Sequence, residues 1–137
     1  MPFAGTRQLP GENIIITTYE GDINAEVVRN GSAEVAKLMG TIEGKVYAVV
    51  DLSTITTSFG EVLKMLAEQA KGQEGTTTDP KLAAMVLVGS DNMVRMYADA
   101  MRKRAEGVMI PMYPSVEAGI AAMRALIEQH SGGVKEA

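Results

Sequence analysis

The chain has no cysteine and no tryptophan, and only two phenylalanines and four tyrosines. Without cysteine there are no disulfides, no thiolate metal sites and no thiol catalysis, and the usual mark of a small secreted scaffold is missing. So few aromatic rings make a base-stacking platform for single-stranded nucleic acid a poor fit. The one histidine is His130, so a Ser-His-Asp triad would have to use it and a multi-histidine metal site cannot form. Positive charge is also in deficit: 13 Lys and Arg stand against 17 Asp and Glu, for a formal charge of −4. That balance disfavours nonspecific binding to nucleic acid or to an anionic membrane. The local exception, Arg102-Lys103-Arg104, fits the end of a helix, where cations complement the dipole. No apolar run approaches the ~20 residues of a membrane span, and Met1 to Pro10 lacks the apolar core of a signal peptide. These absences leave a cytoplasmic protein with no membrane span, and no cofactor is called for.

What is present is an alternation of strand and helix patterns over 137 residues, which suits a single domain, residues 1–137. The ends, 1–5 and 131–137, are expected to be flexible. Asn13 to Tyr19, with Ile14-Ile15-Ile16 at its centre, reads as a strand, and Thr6 to Leu9 can pair with it as a hairpin across Pro10-Gly11-Glu12. Asn24 is placed to cap a helix with Val27, Val28, Val35, Leu38 and Met39 on its apolar face. Gly31 and Ser32 weaken the middle of that helix and invite a kink. Lys45 to Val50 reads as a strand ending at Asp51, followed by a loop from Leu52 to Thr57. Ser58-Phe59-Gly60-Glu61 has the form of a capping box opening the next helix. Gly72 to Pro80 is a Gly/Thr-rich connector, and its Thr76-Thr77-Thr78 triplet reads as solvated loop. Leu82 to Val88 is wholly apolar, as expected of a central parallel strand buried on both faces. Asp91 reads as the cap of a further helix reaching Arg104. Val108 to Met112 reads as a last strand, put at an edge by Pro111. A closing helix from Val116 to Gln129 follows Pro114-Ser115, and the polar tail from Ser131 is expected to fray. The fold class is α/β, with helices crossing between mostly parallel strands.

Three strings carry a family resemblance: Tyr19-Glu20-Gly21-Asp22-Ile23, Lys45 to Ser53, and Ala84 to Gly89 with the helix and strand that follow. In order and character they resemble the STAS domains, most closely the SpoIIAA-like branch. The resemblance implies a STAS-like sheet of about five mostly parallel strands with about four helices, and no enzymatic activity. It also implies a protein partner, since typical members are anti-sigma-factor antagonists regulated by phosphorylation of a Ser in an Asp-Ser pair at the start of the second helix. Here the matching stretch is Thr57-Ser58-Phe59-Gly60. Ser58 is the corresponding residue, and the Asp before it is missing.

Several residues carry a functional reading beside a plainer one. Ser58 is a candidate regulatory residue and also a sufficient N-cap. Asp51 sits where open α/β sheets place ligands, yet a lone Asp there more often closes a turn. Val88-Gly89-Ser90-Asp91-Asn92 has one glycine where phosphate loops need several. The ten methionines are numerous. Met93, Met96 and Tyr97 with Phe59 are candidates for an adaptable surface, open to a second copy of the chain or to an apolar small molecule. The first functional reading is a binding or regulatory module with a protein partner or homodimer. The alternative is a carrier or sensor of an apolar ligand.

Overall fold

The computed structural model describes residues 3–58, 60–62, 64–65, 81–96 and 111–136. Along the chain these form β1 (Phe3–Gln8), β2 (Ile14–Gly21), α1 (Ala25–Met39) and β3 (Val46–Ile55). The helical residues 60–62 and 64–65 of α2 come next, then β4 (Leu82–Val88) and the helical residues 91–96 of α3. β5 (Met112–Tyr113) and α4 (Val116–Glu136) complete it.

The five strands lie side by side in sequence order, β1-β2-β3-β4-β5. β1 is antiparallel to β2, and every later pair is parallel. With strands laid down in this order, right-handed crossovers put each connecting helix on the same face of the sheet. The packing agrees. Val28 of α1 and Val62 of α2 join Tyr19, Val50, Leu52 and Leu87 in one buried cluster, and Met93 of α3 packs against it. α4, which follows the last strand, covers the other face: its Met123 lies in a cluster with Ile14, Ile16, Tyr47, Val49, Val86 and Val88. The alternation of a strand sorts the Ile triplet between the two faces. Ile14 and Ile16 face α4, while Ile15 packs with Val35 and Met39 of α1.

The expected hairpin, the parallel core and the edge position of the last strand are all present. β3 is the central strand and β4 is its neighbour. Residues 108–110 lie outside the described residues. Pro111 keeps its carbonyl in use, accepting from the Leu87 N–H at 3.0 Å. Three boundaries and the burial of one strand differ from the sequence expectation. β1 is longer toward its N-terminus, Phe3–Gln8. β3 does not stop at Asp51 but runs to Ile55, because Leu52 and Ile55 are buried and Thr54 and Ile55 still pair with Glu20 and Gly21. β4 keeps its expected bounds, but its first half is partly buried or exposed rather than buried on both faces; among the described residues, β5 pairs with Leu87 and Val88. α4 continues past Gln129 to Glu136.

Two glycines mark close approaches. α1 is one continuous helix through Gly31, where a Cβ would sit 2.8 Å from Cζ of Tyr19. The glycine costs the helix propensity and makes room for a buried phenol. At Gly119 of α4 a Cβ would meet methyls of Val49 and Val88 at 3.3 Å, so α4 sits tightly on the sheet.

Candidate functional site

The parallel strands β2 and β3 end side by side, Gly21 beside Ile55, and the loops that leave them meet there. Gly21 closes β2 with φ +76°, a conformation L side chains rarely adopt. The Thr56 N–H donates to the Gly21 carbonyl at 2.8 Å, which carries the pairing of β2 and β3 one step beyond the strands. Thr57 then turns inward. Its Oγ1–H lies 2.9 Å from Oδ1 of Asp22 and 3.0 Å from the Ile23 carbonyl, one proton between two acceptors.

Ser58 is exposed. Its Oγ accepts from the Glu61 N–H at 3.3 Å, and its carbonyl accepts from the Val62 N–H at 3.1 Å. Ser58 is therefore the N-cap of α2, with its side chain facing the positive end of the helix. The residue before it is Thr57, but a carboxylate is close all the same. Asp22 reaches the loop from a turn 35 residues earlier. Sequence spacing gave no sign of this pairing. The only available hint was the Gly21-Asp22 turn at the end of a strand.

Asp51 keeps its structural reading. Its Oδ1 accepts from the Ser53 N–H at 3.0 Å and from the Ser53 Oγ–H at 2.6 Å. At the β4–α3 turn the cap is Ser90, not Asp91: Ser90 Oγ accepts from the Met93 N–H at 3.3 Å and its carbonyl from the Val94 N–H at 2.9 Å. The shift by one residue puts Asp91 in the first turn, where a carboxylate suits the dipole. Ser115 caps α4 in the same way, accepting from the Ala118 N–H at 3.1 Å.

Met93 is half-buried against the α1-side cluster. Met96 is 51% exposed, the one large hydrophobic side chain so exposed among the described residues. Phe59 and Tyr97, the other two members of the expected surface, lie outside the described residues, as does Arg102-Lys103-Arg104.

His130 is placed away from these loops. Its Nδ1 lies 2.6 Å from the Tyr47 hydroxyl, with ring centroids 5.8 Å apart. Tyr47 is at the start of β3 and Ser58 follows its end. The strand from Tyr47 to Ile55 spans ~26 Å at the usual rise per residue, so His130 cannot serve Ser58 as a base. On the same face Glu12 and Arg124 form a two-pronged ion pair, both bonds 2.8 Å, tying the β1–β2 turn to α4. The Arg124 guanidinium holds the Glu12 carboxyl below its ordinary range. Tyr19 is buried against Gly31, and desolvation pushes its hydroxyl up to about 12, with Glu34 adding to the rise. Among the described residues no group of three or more His, Asp or Glu is placed to hold a metal ion. Nor is any helix there long and apolar enough to cross a membrane.

Comparison with solved structures finds this architecture in a crystal structure described as an anti-sigma factor antagonist from Mycobacterium paratuberculosis. It aligns at a TM-score of 0.59 with 16% identity, over 90% of this chain and 95% of that one. The chain has the SpoIIAA-like fold. A second structure, an uncharacterized protein of the DUF3478 family from Shewanella loihica PV-4, is itself described as having a SpoIIAA-like fold. It aligns at 0.53 with 10% identity, over 88% and 91% of the two chains. No known protein-family pattern and no curated protein matches the sequence. The sequence resemblance to STAS domains and the folded architecture thus agree on a mostly parallel five-stranded sheet with four helices, while the strand order comes from the structure alone.

Proposed function

We propose that this SpoIIAA-like domain is a cytoplasmic, non-enzymatic regulatory module that acts by binding a protein partner, with the Ser58 loop as its regulated contact. The observation that carries the reading is the setting of Ser58: an exposed hydroxyl at the start of α2, just past the C-terminal end of the central strand. A phosphoryl group transferred there from a nucleoside triphosphate by a separate kinase would replace the hydroxyl proton. It would keep acceptor oxygens on the helix N-terminus while adding up to two negative charges to the surface. Catalysis by the domain itself has little to draw on at this end of the strand, since Asp22 is engaged by Thr57 and His130 is at the far end of β3. The fold of the anti-sigma factor antagonist supports the reading at the level of architecture.

Two substitutions test it. Ser58→Ala is expected to lose ~0.5–2 kcal/mol of stability, read by urea unfolding, through loss of the cap. Ser58→Asp still caps and is expected to fold normally. Tagged wild-type and Ser58→Ala proteins are expected to retain a specific co-purifying protein that Ser58→Asp releases. Equal capture by all three variants rejects the regulated contact.

A second reading rests on Met96. Its exposure, beside half-buried Met93, suits a homodimer contact or the mouth of a site for an apolar small molecule. Native mass spectrometry separates these by a doubled mass or by a co-purified lipid-like adduct.

A further inference from the structure

Ser58 and Asp22 come from different loops, and Thr57 is what joins them. Three contacts hold the β2–α1 turn to the β3–α2 loop: the Thr56 N–H on the Gly21 carbonyl, and the Thr57 hydroxyl shared between the Asp22 carboxylate and the Ile23 carbonyl. Immediately after Ile23, Asn24 caps α1 by accepting from the Val27 N–H at 2.9 Å. The start of α1 and the start of α2 are therefore coupled through one threonine hydroxyl. Asp22 is exposed and forms no ion pair among the described residues, so nothing described here neutralises it.

We propose that the Asp22–Thr57 contact is a charge sensor: a negative charge on Ser58 drives Asp22 away from Thr57 and frees the β2–α1 turn. The proposal rests on the regulatory reading of Ser58 and adds how that charge is transmitted. Consecutive Cα atoms are ~3.8 Å apart and Asp22 lies 2.9 Å from the Thr57 hydroxyl. With the Thr57 and Ser58 side-chain legs of ~2.4 Å each, a charge on the Ser58 side chain falls at most about 12 Å from the Asp22 carboxylate, a range over which repulsion acts at low salt, where the Debye length exceeds ~10 Å. The two loops do not bear this repulsion equally. An anionic group on Ser58 is held by the α2 N-terminus, whose Glu61 N–H already bonds to Ser58 Oγ. Among the described residues Asp22 is held through one shared proton, so Asp22 is the group that yields. Glu61, exposed in the first turn of α2, adds charge of the same sign.

Amide hydrogen exchange followed by NMR on the full chain tests this, with the Thr56 and Val27 amides as reporters of the two loops. Ser58→Asp is expected to speed their exchange about two- to fivefold relative to Ser58→Asn, which caps without charge. Adding Asp22→Asn to Ser58→Asp is expected to abolish the difference. Thr57→Val is expected to speed exchange whatever stands at position 58. Equal exchange in Ser58→Asp and Ser58→Asn overturns the sensor, as does an acceleration that persists with Asp22→Asn. Partner capture by the same proteins keeps the two claims apart. A Ser58→Asp protein that loosens the turn yet keeps its partner rejects the regulatory reading and leaves the sensor standing. Loss of the partner with unchanged exchange does the reverse.

Discussion

The two faces of the sheet are filled by different chemistry. Toward α4 the strands present Ile14, Ile16, Val49, Val86 and Val88, stiff β-branched side chains that meet one methionine, Met123. Toward α1, α2 and α3 the buried centre is also rich in branched residues, Ile23, Val28, Val50, Ile55 and Val62, but its rim is lined by partly buried Met65, Met85, Met93 and Met112. Branched aliphatic residues hold one packing arrangement, whereas unbranched thioethers adapt to several. Close approaches occur on both faces, Gly119 on Val49 and Val88 at the first and Gly31 on Tyr19 at the second. The loop bearing Ser58 leads into α2, on the second. The difference teaches that the domain has a fixed back, which sets the sheet, and a front whose packing can adjust when its loops move.

The strongest test of that contrast is truncation on the back face. Ile16→Ala, at a side chain 1% exposed, is expected to lose ~2–5 kcal/mol in urea unfolding. The matching truncation on the front, Met93→Ala at a partly buried side chain, is expected to lose less than Ile16→Ala. Comparable losses at the two sites would erase the distinction.

Alkaline pH sharpens it through buried Tyr19. The Tyr19 hydroxyl, on the front, is raised from 10 to about 12 by burial and by Glu34. A folded-state value above the unfolded one means the fold favours the neutral phenol. That contribution is complete below pH 10, declines as pH rises from 10 to 12, and is gone above 12, ~3 kcal/mol in all. Tyr19→Phe is expected to lose this dependence, as measured by unfolding across the same range. An unchanged slope in Tyr19→Phe assigns the effect elsewhere.

The smallest effect expected is on surface chemistry. Mild peroxide should oxidise Met96, 51% exposed, well before Met123, 3% exposed, with little change in unfolding midpoint. Mass spectrometry of the peptides reads the order. Protection of Met96 at high protein concentration supports the homodimer contact, and a Met123 that oxidises first contradicts a fixed back face.

The sequence by itself determined much of this protein, because the signals involved are local. A strand's period of two and a helix cap's three-residue reach are both written within a few residues. Hence the strands around Ile15, Val49 and Val86, the caps at Asn24 and Ser58 and the edge position after Pro111 were all legible, and the family resemblance supplied the architecture. The end of β3 was not legible. Ser53 and Thr54 look like loop, and only pairing with Glu20 and Gly21 makes that stretch a strand with its polar side chains outward. Nor did sequence distinguish Ser90 from Asp91 as the cap, since both residues suit the position and the backbone decides between them. Tertiary structure alone decided the pairings that matter at the site and behind it. Thr57 meets Asp22 across 35 residues, and Tyr47 meets His130 across 83. Gly31 reads as a weak point in a helix until Tyr19 is seen against it. Each of these depends on which strand lies beside which, and strand order is set by the packing of the whole sheet rather than by any short stretch of chain.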